Sequence, residues 1–187
     1  QPHDIVVCVN NDAEVAPEAL EVVRDTLRAQ NDPQLLGVQA GSVNMVTGRA
    51  DLGESMHHTW YQYPYLHGSF YAAPFRVFGM AQLPSEYFLY WEDVVWSWRL
   101  ADQGVRLVLL PPDLVQHPDT RSPSEQQQYY LVRNGAYTLA RYRGPWRPYW
   151  RMVNALRLLY HRLISRKAVV VQALSDARAS RLGRRRI

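Results

Sequence analysis

The chain alternates short apolar runs with segments whose apolar residues recur every three to four positions. Residues 4–9, rich in valine and isoleucine, predict a buried strand that ends at the polar cluster Asn10-Asn11-Asp12. The same reading predicts helices at about 17–30, 94–102 and 125–142, strands at 35–40, 69–73 and 106–110, a loop or short hairpin at 41–53, and a helix or loop before residue 69. Alternating helices and short strands predict an α/β fold with a mixed sheet flanked by helices.

A basic amphipathic helix is predicted at 150–164. Its apolar face carries Val153, Leu156, Leu159, Tyr160, Leu163 and Ile164, and arginines cover much of the rest. The second basic stretch, which ends in Arg184-Arg185-Arg186, is predicted to be frayed or bound to a surface. We therefore divide the chain into a domain over 1–144 and a basic helical tail over 145–187.

Composition narrows the class of protein. The chain has 187 residues, 47% of them hydrophobic, and no apolar run approaches the roughly 20 residues of a membrane-spanning helix. A disordered protein and a transmembrane protein are therefore both excluded. The single Cys8 cannot form an internal disulfide, and no Cys/His cluster has zinc spacing, so a reducing, cytoplasmic compartment fits best.

Charge is divided unevenly along the chain. Residues 133–187 hold 14 of the 21 Lys and Arg but only one of the 17 Asp and Glu, Asp176. This division indicates that chemistry belongs to the acidic part and attachment to a polyanionic surface to the basic part. Anionic lipid and nucleic acid are the two candidate surfaces.

Two acidic clusters are candidates for chemistry. Asp12, at the end of the first strand, is placed either to ligate a divalent cation or to cap the next helix. In Trp91-Glu92-Asp93 the adjacent carboxylates do not share a helix face, so one can enter a cleft while Arg99 or a backbone donor holds the other. An acid among aromatic residues would have a raised pKa, as a general base should, although acidic residues also suit a helix start.

Two histidines extend these clusters. His117, in a loop after a strand and two prolines, is either a surface residue or part of a mixed nitrogen and oxygen metal site. His67 lies beside Gly68 in a region crowded with aromatic residues, where we expect contact with an acceptor.

Taken together, these segments resemble family 2 glycosyltransferases of the GT-A fold, with rhamnosyltransferase and galactofuranosyltransferase-like members the most similar. The resemblance rests on Val-Asn-Asn-Asp-Ala-Glu-Val (9–15), Tyr-Phe-Leu-Tyr-Trp-Glu-Asp-Val (87–94) with Arg99 and Gly104, His117, and Tyr-Tyr-Leu-Val-Arg-Asn (129–134). It covers about residues 4–143 and implies a metal-dependent, inverting sugar transfer from a nucleoside-diphosphate sugar to a glycan or lipid-linked hydroxyl. In such a family this activity serves cell-surface polysaccharide synthesis.

The resemblance also implies a role for each matching residue. Asp12 would bind Mn²⁺ or Mg²⁺ on the diphosphate, with His117 completing the site and Asn10 standing where relatives often have aspartate. Asp93 would be the catalytic base. Trp91 and Glu92 would line the acceptor side, and Gly68-Ser69 would let the backbone approach the donor sugar.

Three further expectations follow from the resemblance. The family's nucleotide-binding half precedes the aspartate motif, so we expect this chain to be the C-terminal part of a transferase, incomplete at its N-terminus. The tail resembles the basic helices with which membrane-associated members bind the inner face of a membrane; packing against the transferase is the alternative. A nucleic-acid-binding module with an Arg-rich tail and a non-catalytic carbohydrate-binding domain remain rival functions, and we do not expect nucleic acid as a partner.

Overall fold

The computed structural model describes residues 4–29, 32–53, 56, 58–116, 123–142 and 144–185. Its contacts divide the chain into two compact units. The first consists of residues 1–83 and 93–119, and the second of residues 84–92 and 120–187. The boundary predicted at residue 144 falls inside the second unit, because the helix before it packs with the tail.

The first unit is a mixed α/β structure. Its main sheet has the order β1 (Ile5–Val9), β7 (Phe70–Pro74), β3 (Gln34–Gly37), β8 (Arg106–Leu109). Strand β7 is antiparallel to both neighbours, whereas β3 and β8 are parallel. The mixed α/β class and the first, penultimate and last predicted strands are therefore confirmed.

The described residues of this unit form two smaller sheets as well. β4 (Ala40–Asn44) lies between β5 (Ala50–Leu52) and β6 (Gln62–Leu66), and the two-residue strands β2 (Glu14–Val15) and β9 (Val115–Gln116) pair with each other. The strand predicted at 35–40 is wrong in extent, because the chain leaves the main sheet after Gly37 and joins another at Ala40.

Strand β6 was predicted as helix or loop, which is wrong. The sequence around Pro64 does not indicate a strand, since proline cannot donate a ladder hydrogen bond and is normally confined to edge strands. Here β6 is an edge strand, and the Pro64 carbonyl accepts a hydrogen bond from the Trp98 indole nitrogen at 3.1 Å.

Three α-helices lie in the described part of this unit. α1 (Ala19–Arg28) buries Ala19 and Val23, and α2 (Phe75–Met80) follows β7 directly. α3 (Glu92–Ala101) buries both of its tryptophans, Trp96 and Trp98, and ends before Gly104, whose φ of 83° suits glycine. The helices predicted at 17–30 and 94–102 are confirmed.

The second unit is helical. α4 (Glu125–Leu139) begins at Ser124 with a reciprocal capping box to Gln127, and it is followed by α5 (Trp146–Tyr160), a π-helical turn at His161–Ser165, and α6 (Ala168–Arg178). α6 buries Ala173, Leu174 and Ala177 and makes its most extensive contacts with α4. Beyond α6, Arg185 pairs with Asp176, so fraying of the second basic stretch is wrong as far as residue 185, whereas its binding to a surface stays a prediction.

Helix α5 meets the other helices through a face different from the predicted apolar one. Its buried residues are Trp150 and Leu158. The predicted apolar residues are exposed instead, apart from the half-buried Val153, and Met152 is exposed beside them. Within the described residues no helix is long and apolar enough to cross a membrane.

Gly41 tests the packing of the smaller sheet. A Cβ at Gly41 would lie 2.7 Å from the Asp51 carbonyl oxygen and 2.7 Å from the Tyr65 ring. We expect Gly41→Ala to lower the free energy of unfolding by about 1–3 kcal/mol, since backbone and ring must both move. Gly79→Ala is the matched control, because nothing lies within 4 Å of its Cβ position. Urea unfolding of both variants checks this, and equal effects would contradict it.

Candidate functional site

Asp93 lies in the first turn of α3, where two backbone N–H groups hold its carboxylate. Oδ1 accepts from the Val94 nitrogen at 2.7 Å, and Oδ2 accepts from the Gly68 nitrogen at 3.3 Å. Gly68 belongs to the turn at residues 67–69 that joins β6 to β7. The backbone donor predicted from sequence is thus present, and Arg99, the other predicted holder, donates to the Gln82 carbonyl oxygen at 3.3 Å.

The same turn contacts the end of β1. The Asn10 nitrogen donates to the Ser69 carbonyl oxygen at 3.0 Å, directly after the pair Val9 and Phe70 of the β1–β7 ladder. Three predicted segments that are distant in sequence, Asn10, the 67–69 turn and Asp93, therefore meet within the first unit. Asp12 lies two residues beyond Asn10 in an exposed turn.

Burial raises the pKa of Asp93, and the opposing influences are weaker. The charge of His67 and the hydrogen bonds from the Val94 and Gly68 nitrogens act to lower it, in that order. The raised pKa agrees with the sequence expectation for an acid among aromatic groups. Asp93 therefore takes up a proton at a higher pH than an exposed aspartate does.

A divalent cation fits the donors at the end of β1 only as an open site. The exposed Asp12 carboxylate and Asn10 amide are oxygen donors, and Mg²⁺ commonly binds one or two carboxylates while keeping waters and substrate phosphates. Among the described residues, no three His, Cys, Asp or Glu side chains group closely enough to hold an ion. The predicted third ligand, His117, lies outside the described residues, but Gln116 before it pairs with Glu14 in the β2–β9 ladder.

Gln39 is a site residue that sequence reasoning missed. Its carbonyl oxygen accepts from the His67 nitrogen at 2.9 Å, and its side-chain oxygen accepts from the Ser69 hydroxyl at 3.4 Å. Gln39 also lines a cavity of about 530 Å³ together with Val38, Leu52, Leu109 and Pro112. No sequence motif indicates Gln39 as a site residue. It lies between the end of β3 and the start of β4, and this position places it next to the 67–69 turn.

The glycine at position 68 is not required by the fold itself. A Cβ there would lie 3.6 Å from the Asp93 Cβ, an ordinary van der Waals distance, and the φ of Gly68 is not left-handed. The buried Ser69 beside it has no exposed surface. A methyl group at position 68 would therefore be in ordinary contact with Asp93 and with the Tyr71 hydroxyl.

Trp91 and Glu92, predicted to line the acceptor side, belong to the second unit. Trp91 is buried, and Gly135 of α4 makes room for its indole, since a Cβ at Gly135 would lie 2.8 Å from the Trp91 Cζ2. Glu92 is half-buried. Their acceptor role stays a prediction.

The loop before Trp91 has an unusual backbone. Phe88, Tyr90 and Trp91 have φ values of 64°, 62° and 71°, a left-handed region in which each non-glycine residue costs about 1–3 kcal/mol. The Asn134 side-chain amide donates to the carbonyl oxygens of Tyr87, Leu89 and Tyr90 at 2.7–3.0 Å. These hydrogen bonds offset the strain of the loop.

Arg133 fixes that amide. Its Nε donates to the Asn134 Oδ1 at 2.8 Å, which orients the amide nitrogen toward the loop, and its Nη2 donates to the Tyr87 carbonyl oxygen at 3.1 Å. Both side chains are fully buried. The sequence carried the signal as the Arg-Asn pair that ends the 129–134 motif, but it did not show what the pair does.

No protein-family model matches this chain, and no curated protein is significantly similar to it. The placement of these residues therefore rests on the geometry described above.

Asn134 offers a test of the loop. Asn134→Asp replaces the donating amide nitrogen with an acceptor that faces three carbonyl oxygens, and we expect it to lower the free energy of unfolding by about 1–3 kcal/mol. Asn44→Asp is the control, since the Asn44 Oδ1 accepts from the Val46 and Thr47 nitrogens and a carboxylate keeps both hydrogen bonds. Urea unfolding followed by far-UV circular dichroism measures both; an unchanged Asn134→Asp protein would refute the role.

The raised pKa of Asp93 predicts a pH dependence of stability. Because the folded state holds this proton more tightly, the free energy of unfolding falls as pH rises from the usual aspartate pKa of 3.8 to the raised folded value, and then levels off. Asp93→Asn should remove that slope, so its stability relative to wild type should increase with pH over this window. Asp113→Asn, a substitution at an exposed position, should leave the slope as it is in the wild-type protein. Denaturant unfolding across this pH range decides, and a pH-independent difference for Asp93→Asn would contradict the assignment.

Proposed function

We propose that the chain is the catalytic part of a metal-dependent, inverting glycosyltransferase that moves a sugar from a nucleoside-diphosphate sugar to a hydroxyl of a glycan or lipid-linked acceptor. The observation that carries this proposal is the meeting of the Asn10 end of β1, the 67–69 turn and Asp93. The sequence resemblance assigned donor, metal and base roles to these same segments. Their proximity supports the roles, since a transfer reaction needs all three around one sugar.

Asp93 has the properties of a general base. Burial raises the pKa of its carboxyl toward the operating range, and two backbone donors fix its orientation. In the proposed step the Asp93 carboxylate takes the proton of the acceptor hydroxyl as that oxygen forms a bond to the anomeric carbon. The bond from this carbon to the diphosphate oxygen breaks, and its electron pair leaves with the diphosphate.

A single displacement of this kind inverts the anomeric configuration. The resemblance provides one base and no second carboxylate nucleophile, and the logic parallels that of inverting hydrolases. His67 precedes Gly68, and a protonated His67 would favour the ionised form of Asp93 that must accept the proton. Gly68, whose Cβ position is uncrowded, and the cavity next to Gln39 support a donor sugar close to the turn.

Asp12 and His117, with Asn10, would hold Mn²⁺ or Mg²⁺. When bound, the ion would supply Lewis-acid neutralisation of the charge that develops on the leaving diphosphate. Asn10 in place of a second aspartate makes the set one charge poorer, so binding should depend strongly on the phosphates of the nucleotide. The exposure of Asn10 and Asp12 supports an open site of this kind.

We further propose that the enzyme works at the inner face of a membrane in cell-surface polysaccharide synthesis, with the basic tail on anionic lipid. The exposed apolar residues of α5 and the 14 basic residues after position 132 support this localisation.

Three variants separate the role of the base from that of the metal ligands. Asp93→Asn should lower transfer about 10²- to 10⁴-fold while leaving nucleotide binding in Mn²⁺ nearly unchanged, because the base acts only on the acceptor proton. Asp12→Asn and His117→Ala should instead abolish the thermal stabilisation by Mn²⁺ with UDP, GDP or dTDP. Release of nucleoside diphosphate from a panel of sugar nucleotides measures transfer.

Asp113→Asn serves as the control for both assays, since its carboxylate is exposed and outside the proposed site. Equal loss of binding and transfer in Asp93→Asn would sink the base assignment. Stabilisation by nucleotide that survives in Asp12→Asn and His117→Ala would sink the metal assignment.

A further inference from the structure

The second unit contains a pocket that the proposed transfer reaction does not use. It lies among α4, α5 and α6 and has a volume of about 390 Å³. Its apolar lining comes from Ala136, Ala140, Ala155, Leu158, Leu174 and Ala177. Cavities of this size and polarity are typical of small-ligand sites.

Three arginines line the same pocket: Arg141, Arg151 and Arg178. Arg141 is held in place, because its Nη2 donates to the Ser180 hydroxyl at 2.6 Å and its guanidinium lies 4.1 Å from the centre of the Tyr137 ring. Within the described part of the chain, none of the three takes part in an ion pair with a carboxylate. The pocket therefore concentrates positive charge beside an apolar floor.

Asp176, the one acidic residue in the sequence of 133–187, does not neutralise that charge. Asp176 is fully buried, and its carboxylate pairs with Arg185 and accepts from Tyr129 and Gln172 at 2.8 and 2.9 Å. Asp176 is thus committed to an internal network, and the positive charge of the pocket remains for a ligand from outside.

Asn154 adds an unmet acceptor to the pocket wall. Its amide nitrogen donates to the Ala136 carbonyl oxygen at 2.9 Å, whereas its buried Oδ1 receives no hydrogen bond from the residues that the structure describes. A buried acceptor without a donor costs free energy, so a ligand hydroxyl there would be favoured. The pocket thus combines anion-binding groups, an acceptor and an apolar floor.

An exposed apolar stripe, called the α5 stripe, runs next to this pocket along α5 and into the π-helical turn that follows it. Met152, Leu156, Leu159 and Leu163 follow one another at helical spacing, and Leu156 and Leu163 are 59% and 66% exposed. The pocket residues Arg151, Ala155 and Leu158 each precede a stripe residue by one position, so they form the adjacent row of the helix. An amphiphile bound in the pocket would have apolar surface beside it.

We propose that this pocket binds the terminal phosphate of an anionic membrane lipid, while the α5 stripe enters the acyl boundary of the bilayer. A terminal phosphate carries about −1.5 to −2 charges near neutral pH and is bound bidentately by arginine, which matches three guanidinium groups. The apolar floor and stripe favour a lipid over a free phosphate. The proposal does not depend on sugar transfer, so a failed transfer assay leaves it standing.

Vesicle co-sedimentation tests the pocket through lipid preference. We compare phosphatidylcholine vesicles that contain phosphatidic acid, with its terminal phosphate, or phosphatidylglycerol, matched in surface charge. The wild-type chain should prefer phosphatidic acid about tenfold, because only a terminal phosphate can engage several arginines at once. Arg151→Gln with Arg178→Gln should reduce this preference to about one.

Two matched variants separate the pocket from general charge. Arg147→Gln with Arg162→Gln removes the same charge from exposed positions of the same region that do not line the pocket, so it should weaken binding to both vesicles but keep the preference. Ala155→Phe keeps every charge and fills the pocket, so it should abolish the preference. Far-UV circular dichroism verifies the fold of each variant.

The source of the phosphate is tested separately. Leu156→Ser with Leu159→Ser should weaken binding to both vesicles, because exposed apolar area is lost from the stripe. Two results would contradict the pocket as the phosphate-binding site. One is equal wild-type affinity for the two vesicles, and the other is the same loss of preference in both double arginine variants. Tighter binding to glycerol 3-phosphate or to an RNA oligonucleotide than to vesicles would contradict a membrane lipid as the ligand.

Discussion

Strand β7 hydrogen-bonds to β1 along one edge and to β3 along the other, and the candidate site depends on this pairing. Because Val9 lies opposite Phe70, the next residue of β1, Asn10, meets Ser69 at the turn before β7. The same turn presents the Gly68 nitrogen to the Asp93 carboxylate. A slip of one residue between β1 and β7 would turn the side chains of β1 to the opposite face and separate Asn10 from the turn.

Among the described residues, the buried Asp176 and the half-buried Asp93 show two ways in which the cost of taking a carboxylate out of water is offset. Asp176 is stabilised by an arginine, a tyrosine hydroxyl and a glutamine amide, so it ties the end of the chain to α4 and α6. Asp93 has two backbone donors and the charge of His67, and its pKa is nonetheless raised. The carboxylate whose pKa is raised is the one suited to exchange a proton, whereas the carboxylate of Asp176, which pairs with Arg185 and Arg181, serves the structure.

The chain accommodates a left-handed φ in two different ways, at Gly104 and in the strained loop at 88–91. At Gly104 the chain meets a left-handed φ with glycine, which costs little. Phe88, Tyr90 and Trp91 are large aromatic residues with a left-handed φ. The Arg133–Asn134 pair supplies the hydrogen bonds that hold their backbone in place. Such strain persists only where the surroundings over-determine the conformation, which is why both members of the pair are buried.

The local sequence pattern was enough to predict several secondary-structure elements and the distribution of charge. Periodicity located β1, α1 and α3, and composition separated an acidic part from a basic one, because helical and strand repeats and charge are properties of neighbouring residues. The clusters around Asn10, Gly68 and Asp93 were also recognised from residue type and order. Their roles in sugar transfer and the identity of the metal ligands remain predictions.

Only the tertiary structure decided what distant residues do to one another. It joined Gln39 to the 67–69 turn, made an edge strand of β6 despite Pro64, and directed Asn134 to the 88–91 loop. It also left the apolar stripe of α5 exposed and buried Trp150 and Leu158 instead. Strand register, backbone hydrogen bonds to side chains and the choice of a buried face all depend on partners far away in sequence, and no local repeat records them.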